Sequence, residues 1–208
     1  MATLEISAGN SLYYEYQAPG AKGQTFVFVN ALTGNTGMWE VDAIGPVLRA
    51  AGYGTLVYNF RGQVDSTFTP DADLGPLTIV DDLKRIVDHV APPRPILAGL
   101  SIGGLFAAQA YLKGAAAEGL VLINTLRKPS LRLEWINSAM VRMAGTGGGQ
   151  LIMEANLPML VNPEQLAKMR PTLLQGDYQG MKDGEGLYEL MKGSVSTEWD
   201  FPYEKLDI

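Results

Sequence analysis

A serine framed by glycines two residues to either side, Gly99-Leu100-Ser101-Ile102-Gly103, is the stretch of this chain best suited to covalent chemistry. It ends the apolar run that begins at Ile96 and passes at once into Leu105-Phe106-Ala107-Ala108-Gln109-Ala110, which reads as a helix. At such a strand-to-helix corner the hydroxyl is pushed out of a sharp turn. It also sits at the positive end of a helix, where free backbone N–H groups can bind a developing oxyanion. The plainer reading is a tight turn whose serine caps the helix. With 24 glycines in the chain, the pattern alone arises easily by chance. Its context gives it weight: a strand before, a helix after, and Gly103, Gly104, Ala107 and Ala108 to let that helix lie close to the sheet.

A serine that attacks a carbonyl needs a neighbouring base to take its proton. The chain holds one histidine, His89, and none follows Ser101. His89 falls near the end of a helix predicted over Thr78–Val90. Its spacing places it on a face with Asp82 and Arg85, away from the stripe of Ile79, Val80, Leu83, Ile86, Val87 and Val90. An imidazole at a helix C-terminus is accounted for by the helix dipole. A lone histidine and no cysteine offer no metal-ligand cluster and no disulfide, and no cofactor is implied.

The elements that must position Ser101 follow from the apolar pattern. Leu4–Ile6 and Ser11–Tyr16, separated by Gly9-Asn10, predict a hairpin. Thr25–Asn30, Thr55–Tyr58, Ile96–Leu100 and Leu120–Asn124 read as strands, with a loosely helical Met38–Ala51 and a polar loop from Arg61 to about Gly75 between them. Strands alternating with helices predict βαβ units and a mostly parallel sheet with flanking helices, an α/β fold. Beyond Leu126 helices dominate: Leu131–Met143, Gln150–Met159, Pro163–Leu174 and Glu185–Ser194. Gly145-Thr146-Gly147-Gly148-Gly149 reads as a flexible joint and not a phosphate loop, since no Gly-Lys-Ser/Thr follows. Seven of the nine methionines lie in this region, which suggests an adaptable apolar cap; Met140, Met143, Met153 and Met159 point to an apolar acyl or aromatic substrate group.

The totals bound the rest. At 208 residues the chain suits one domain with an insertion, and 47% hydrophobic with 18% charged residues is a globular composition. A net charge of −6 with no basic stripe argues against nucleic acid. No secretory signal is visible and no apolar run approaches the ~18 residues of a membrane span. A soluble, cytoplasmic protein is expected.

Two further segments carry a family resemblance. Phe26-Val27-Phe28-Val29-Asn30-Ala31-Leu32-Thr33-Gly34-Asn35, with Trp39 beyond, resembles the strand and loop that supply an oxyanion donor in α/β-hydrolases, with Asn30-Ala31 where His-Gly is usual. Tyr58-Asn59-Phe60-Arg61-Gly62-Gln63-Val64-Asp65-Ser66 resembles that family's Asp-x-Arg-Gly-x-Gly-x-Ser segment, departing at Asn59 and Val64. The resemblance spans essentially the whole chain. It implies Ser101 as nucleophile and the backbone N–H groups of Leu32 and Ile102 as oxyanion hole. It implies a core over residues 1–125, a helical cap over 126–200, and a lead-in to a further strand over 201–208.

In that family the order is Ser, then Asp or Glu, then His. The expectation is therefore an α/β-hydrolase fold, C-terminally incomplete, whose acid and histidine come from a companion C-terminal fragment on another polypeptide. A truncated chain, or a non-catalytic relative that binds a small ligand, are the other accounts. The implied reaction is hydrolysis of a carboxylic ester through a Ser101 acyl-enzyme. An acyltransferase is the alternative, because Ala31–Asn35 also resembles the corresponding loop of homoserine acetyltransferases.

Overall fold

The computed structural model describes residues 1–41, 43–126, 128 and 130–208; Arg127 and Pro129, at the start of the expected cap, lie outside them. The hairpin is β1 (Ala2–Ser7) and β2 (Asn10–Gln17), followed by β3 (Thr25–Val29), β4 (Gly54–Tyr58), β5 (Pro95–Leu100) and β6 (Gly119–Ile123). These form one six-stranded sheet in the order β1-β2-β4-β3-β5-β6. β1 and β2 pair antiparallel, β2 pairs antiparallel with β4, and β4, β3, β5 and β6 run parallel. The expected mostly parallel sheet is observed.

Register assigns the two faces. Val27 pairs with Leu56 and Leu97, and Leu97 with Leu120. This face is covered by α3 (Pro76–Val90) and α4 (Ile102–Leu112), whose Ile79, Leu83, Ile86, Leu105 and Phe106 are buried against it. Burying a side chain of this size contributes roughly 1.5–3 kcal/mol, so these two helices carry much of the core. On the other face Phe28, Val57 and Ala98 are covered by Trp39, Met38 and Leu48. Those residues come from two short helices, α1 (Gly37–Glu40) and α2 (Ile44–Ala50), where the sequence suggested one loose helix over Met38–Ala51. Toward β6 this second face opens, and Val121 and Ile123 are each 40% exposed. β6 is the outer strand of the parallel half.

Past β6 the described chain is helical: α5 (Leu131–Leu160), α6 (Pro163–Leu173) and α7 (Gly186–Ser194), then a single 3-10 turn at Tyr203–Lys205. Ser130 and Asn162 cap the first two through hydrogen bonds to Leu133 N and Gln165 N. The glycine tract 145–149 divides α5 into two helical stretches, as the sequence suggested: Gly148 (φ 63, ψ −155) is non-helical and makes a kink. Close packing explains the small residues: Met181 N donates to Ala144 O at 2.9 Å. An added Cβ at Gly147 or Gly180 would fall against Leu151 or the Gly145 carbonyl.

Candidate active site

Ser101 occupies the corner between β5 and α4. Its backbone sits at φ 56 and ψ −125, a conformation L-residues rarely adopt, and its side chain makes no cap hydrogen bond. The plain capping reading therefore does not describe it. Three bonds hold the corner. Ser101 N donates to Ile123 O at 2.8 Å, Gly104 N donates to Ser101 O at 3.1 Å, and Thr125 Oγ1 donates to Ser101 O at 3.0 Å. The glycines around it permit close approach. A Cβ added at Gly99 would meet the Gly103–Gly104 backbone, one at Gly103 the carbonyls of Val29 and Asn30, and one at Gly104 the Thr125 side chain, all closer than real Cβ contacts come. The first turn of α4 thus lies against the end of β3. Ser101 itself is half-buried, and no acidic residue occupies the first turn to offset the positive helix end.

The second loop of interest starts where β3 ends. Asn30 is fully buried and fully bonded. Its Nδ2 donates to Tyr58 O at 2.9 Å and to Gln63 Oε1 at 3.0 Å, and its Oδ1 accepts from Trp39 Nε1 at 2.7 Å. The departure from His-Gly at this point is thus filled by an amide network. Leu32 packs against the cluster that contains Ile102 and Leu105. Among the described residues, neither the Leu32 nor the Ile102 amide has a hydrogen-bond acceptor. Both amides are therefore free to donate to a ligand.

The Arg61–Ser66 segment braces both loops. Ser66 Oγ donates to Asn59 O at 2.8 Å and accepts from Tyr13 N at 2.9 Å. Arg61 makes a two-pronged pair with Asp82, Nε–Oδ2 at 2.6 Å and Nη2–Oδ1 at 3.1 Å. Asp82 is 1% exposed and belongs to the buried side of α3, not to the solvent face on which spacing placed it. Burial raises its carboxyl above the ordinary value, against the opposing pull of Arg61 and Arg85. Val64, where the resemblance expects glycine, has φ 39 and is 71% exposed.

His89 is on the exposed surface of the last turn of α3, with Nε2 3.2 Å from Tyr14 OH. It precedes β5 by a few residues, whereas Ser101 follows β5. Among the described residues its imidazole contacts Tyr14 and bonds to nothing in the β5–α4 corner. The described acids also leave Ser101 without a hydrogen-bonded partner. Two open cavities, of about 340 Å³ beside Phe201 and Tyr203 and about 400 Å³ beside Arg170 and Leu174, include neither Ser101 nor Leu32 in their walls. Met140 and Met143 pack on Ala144, Ile152 and Met191, but Met153 and Met159 face solvent, so only part of the expected methionine lining is internal.

Sequence reasoning overlooked Gln63, Trp39 Nε1 and Thr125. One signal was present: three carboxamides, Asn30, Asn59 and Gln63, fall in the two segments that flank the site, two of them where the resembled motifs carry other residues.

The family model described as "Alpha/beta hydrolase family" matches residues 26–203, most of the chain. The chain belongs to the alpha/beta hydrolase family. This alpha/beta hydrolase is 29% identical over 153 residues to a protein named as the carbamate hydrolase RutD of Variovorax paradoxus (strain S110). The match takes in 73% of this chain and spans 56% of the length of that relative. Among solved structures, MGS-M2, an alpha/beta hydrolase enzyme from a Medee basin deep-sea metagenome library, superposes with a TM-score of 0.73 at 18% identity, covering 93% of this chain and 72% of the other. The enol-lactonase from Burkholderia xenovorans LB400 gives 0.66 at 20% identity, covering 91% and 73%. These two establish a shared fold. No helix among the described residues is long and apolar enough to cross a membrane.

Proposed function

We propose that this chain is the nucleophile-bearing part of a serine hydrolase acting on carboxylic esters. The observation that carries the reading is the strained backbone of Ser101 at the β5–α4 corner; the amides of Leu32 and Ile102, without acceptors among the described residues, support it. In this reading Ser101 Oγ attacks the ester carbonyl and its proton passes to a base. The two amides hold the oxyanion, the alcohol leaves, and water releases the acyl group. A carbamate carbonyl, the bond class in the name of the Variovorax relative, would pass through the same kind of tetrahedral centre and belongs in the substrate panel. Helices α5–α7 act as a cap: Leu32 packs on the Ala144-Ile152-Met191 cluster as well as on the sheet core.

The base, on this proposal, is a histidine contributed from outside these residues, together with its acid. Among the described residues His89 is bonded to Tyr14 and not to Ser101, and β6, the outer strand, offers an edge on which a further strand could pair. The same observation favours a second reading, in which the chain binds an acyl ligand without turnover. A fluorophosphonate probe separates them. Labelling of the wild type but not of Ser101→Ala supports an activated nucleophile. Absence of labelling in both, with a histidine-bearing companion present, overturns the hydrolase reading.

A further inference from the structure

Gln63 is buried to 3% exposure in the loop after β4, and every hydrogen-bonding position of its carboxamide is used. Oε1 accepts from Phe60 N at 2.9 Å, within its own loop, and from Asn30 Nδ2 at 3.0 Å. Nε2 donates to Ala31 O at 3.2 Å and to Leu32 O at 3.0 Å. One side chain thus clamps two consecutive carbonyls of the loop that carries the Leu32 amide. Gly34 N adds a second donor to Ala31 O at 2.9 Å.

Peptide planarity makes this directional. The Ala31 carbonyl and the Leu32 N–H lie in one rigid plane and point in opposite directions within it. Pinning Ala31 O toward Gln63 therefore turns the Leu32 N–H away from Gln63. Asn30 cannot do this alone, since its amide is committed to Tyr58 O, Gln63 Oε1 and Trp39 Nε1.

We propose that Gln63 is a positioning residue that fixes the Ala31–Leu32 peptide so that the Leu32 N–H serves the oxyanion at Ser101. The proposal rests on the hydrolase reading for its chemical consequence, but not for its geometry. Gln63→Met keeps the volume and removes both donors and the acceptor. Gln63→Glu keeps an acceptor and, when ionised, sets negative oxygen against the two carbonyls.

The test uses the full chain and p-nitrophenyl acetate. An oxyanion hole with binding retains roughly 10³–10⁴-fold catalysis over water even when a triad member is missing, so turnover is measurable without the companion base. Loss of one hole donor lowers kcat by about 10²–10³-fold. Gln63→Met is expected to lower kcat by about 10²-fold with KM unchanged. The carboxyl introduced by Gln63→Glu is expected to recover part of that loss as pH falls and it gains a proton to donate. Crystal structures of the variants report the Ala31–Leu32 peptide directly. An unmoved peptide in both variants, or a rise in KM with kcat retained, overturns the proposal. If Gln63→Met fails to fold, the pH dependence and structure of Gln63→Glu decide. If, with a histidine-bearing companion present, Ser101→Ala turns over as fast as the wild type, the hydrolase reading falls, and peptide orientation still decides what Gln63 does.

Discussion

Ser101 can be made to report its own strain. Its φ of 56 and ψ of −125 place an L-residue where a Cβ is crowded, at a cost of about 1–3 kcal/mol. Glycine removes that cost but gives up about 0.5–1 kcal/mol of extra backbone entropy on folding. The serine side chain is half-exposed and makes no cap bond, so little else is lost with it. The balance predicts Ser101→Gly to be more stable than the wild type by about 1 kcal/mol, whereas Ser101→Ala, which keeps the Cβ, stays near zero. For a domain of this length that difference is about 2–4 °C in Tm. Urea unfolding followed by circular dichroism measures it, provided m is unchanged among the three proteins. Val64→Gly is the control: φ 39 on a 71% exposed side chain predicts a gain of the same sign at a position outside the β5–α4 corner. A Ser101→Gly protein no more stable than Ser101→Ala would refute the argument, because the strain would then not reside in the backbone.

Two other outcomes follow from the packing around the site. Arg61→Met removes one partner of a buried pair and should cost about 3–5 kcal/mol at neutral pH, read by chemical denaturation. The sign of its pH dependence is set by Asp82, whose folded-state carboxyl lies above the ordinary value because of burial. The folded state binds that proton more tightly, so this group's contribution falls as pH rises from about 3.9 through the folded value. Without Arg61 that window extends upward, and the deficit should shrink toward pH 4; a deficit independent of pH would assign the loss to packing instead. Gly103→Ala sets a methyl against the carbonyls of Val29 and Asn30, both main chain, and should cost about 1–3 kcal/mol or more; a thermal melt within 1 °C of the wild type would show that α4 can simply shift outward.

The strands and the core helices were legible because burial leaves a pattern, one-sided in α3 and continuous in the central strands and α4. Ile79, Leu83, Ile86 and Val90 mark α3, and the unbroken apolar run at Phe26–Val29 marks a strand covered on both sides. The β5–α4 corner at Ser101 was legible because an apolar run, flanking glycines and a helical stretch meet there. Asp82 was misplaced for a physical reason: its burial depends on Arg61, which arrives from a loop more than twenty positions away. Gln63 was invisible for the same reason. A glutamine in a polar loop looks solvated until the loop it clamps is folded beside it. The break in α5 at residues 145–149 was legible from its glycines, but its packing against residues 178–181 was not, because those neighbours arrive from a later stretch of chain.

The lattice of side chains that shapes the Leu32 loop has a consequence for titrations. Asn30, Gln63 and Trp39 contain no atom that gains or loses a proton between mildly acidic and strongly alkaline water. A limb seen in a rate-versus-pH curve therefore does not originate in these three side chains, and the contacts they make to the Leu32 loop do not change with their charge.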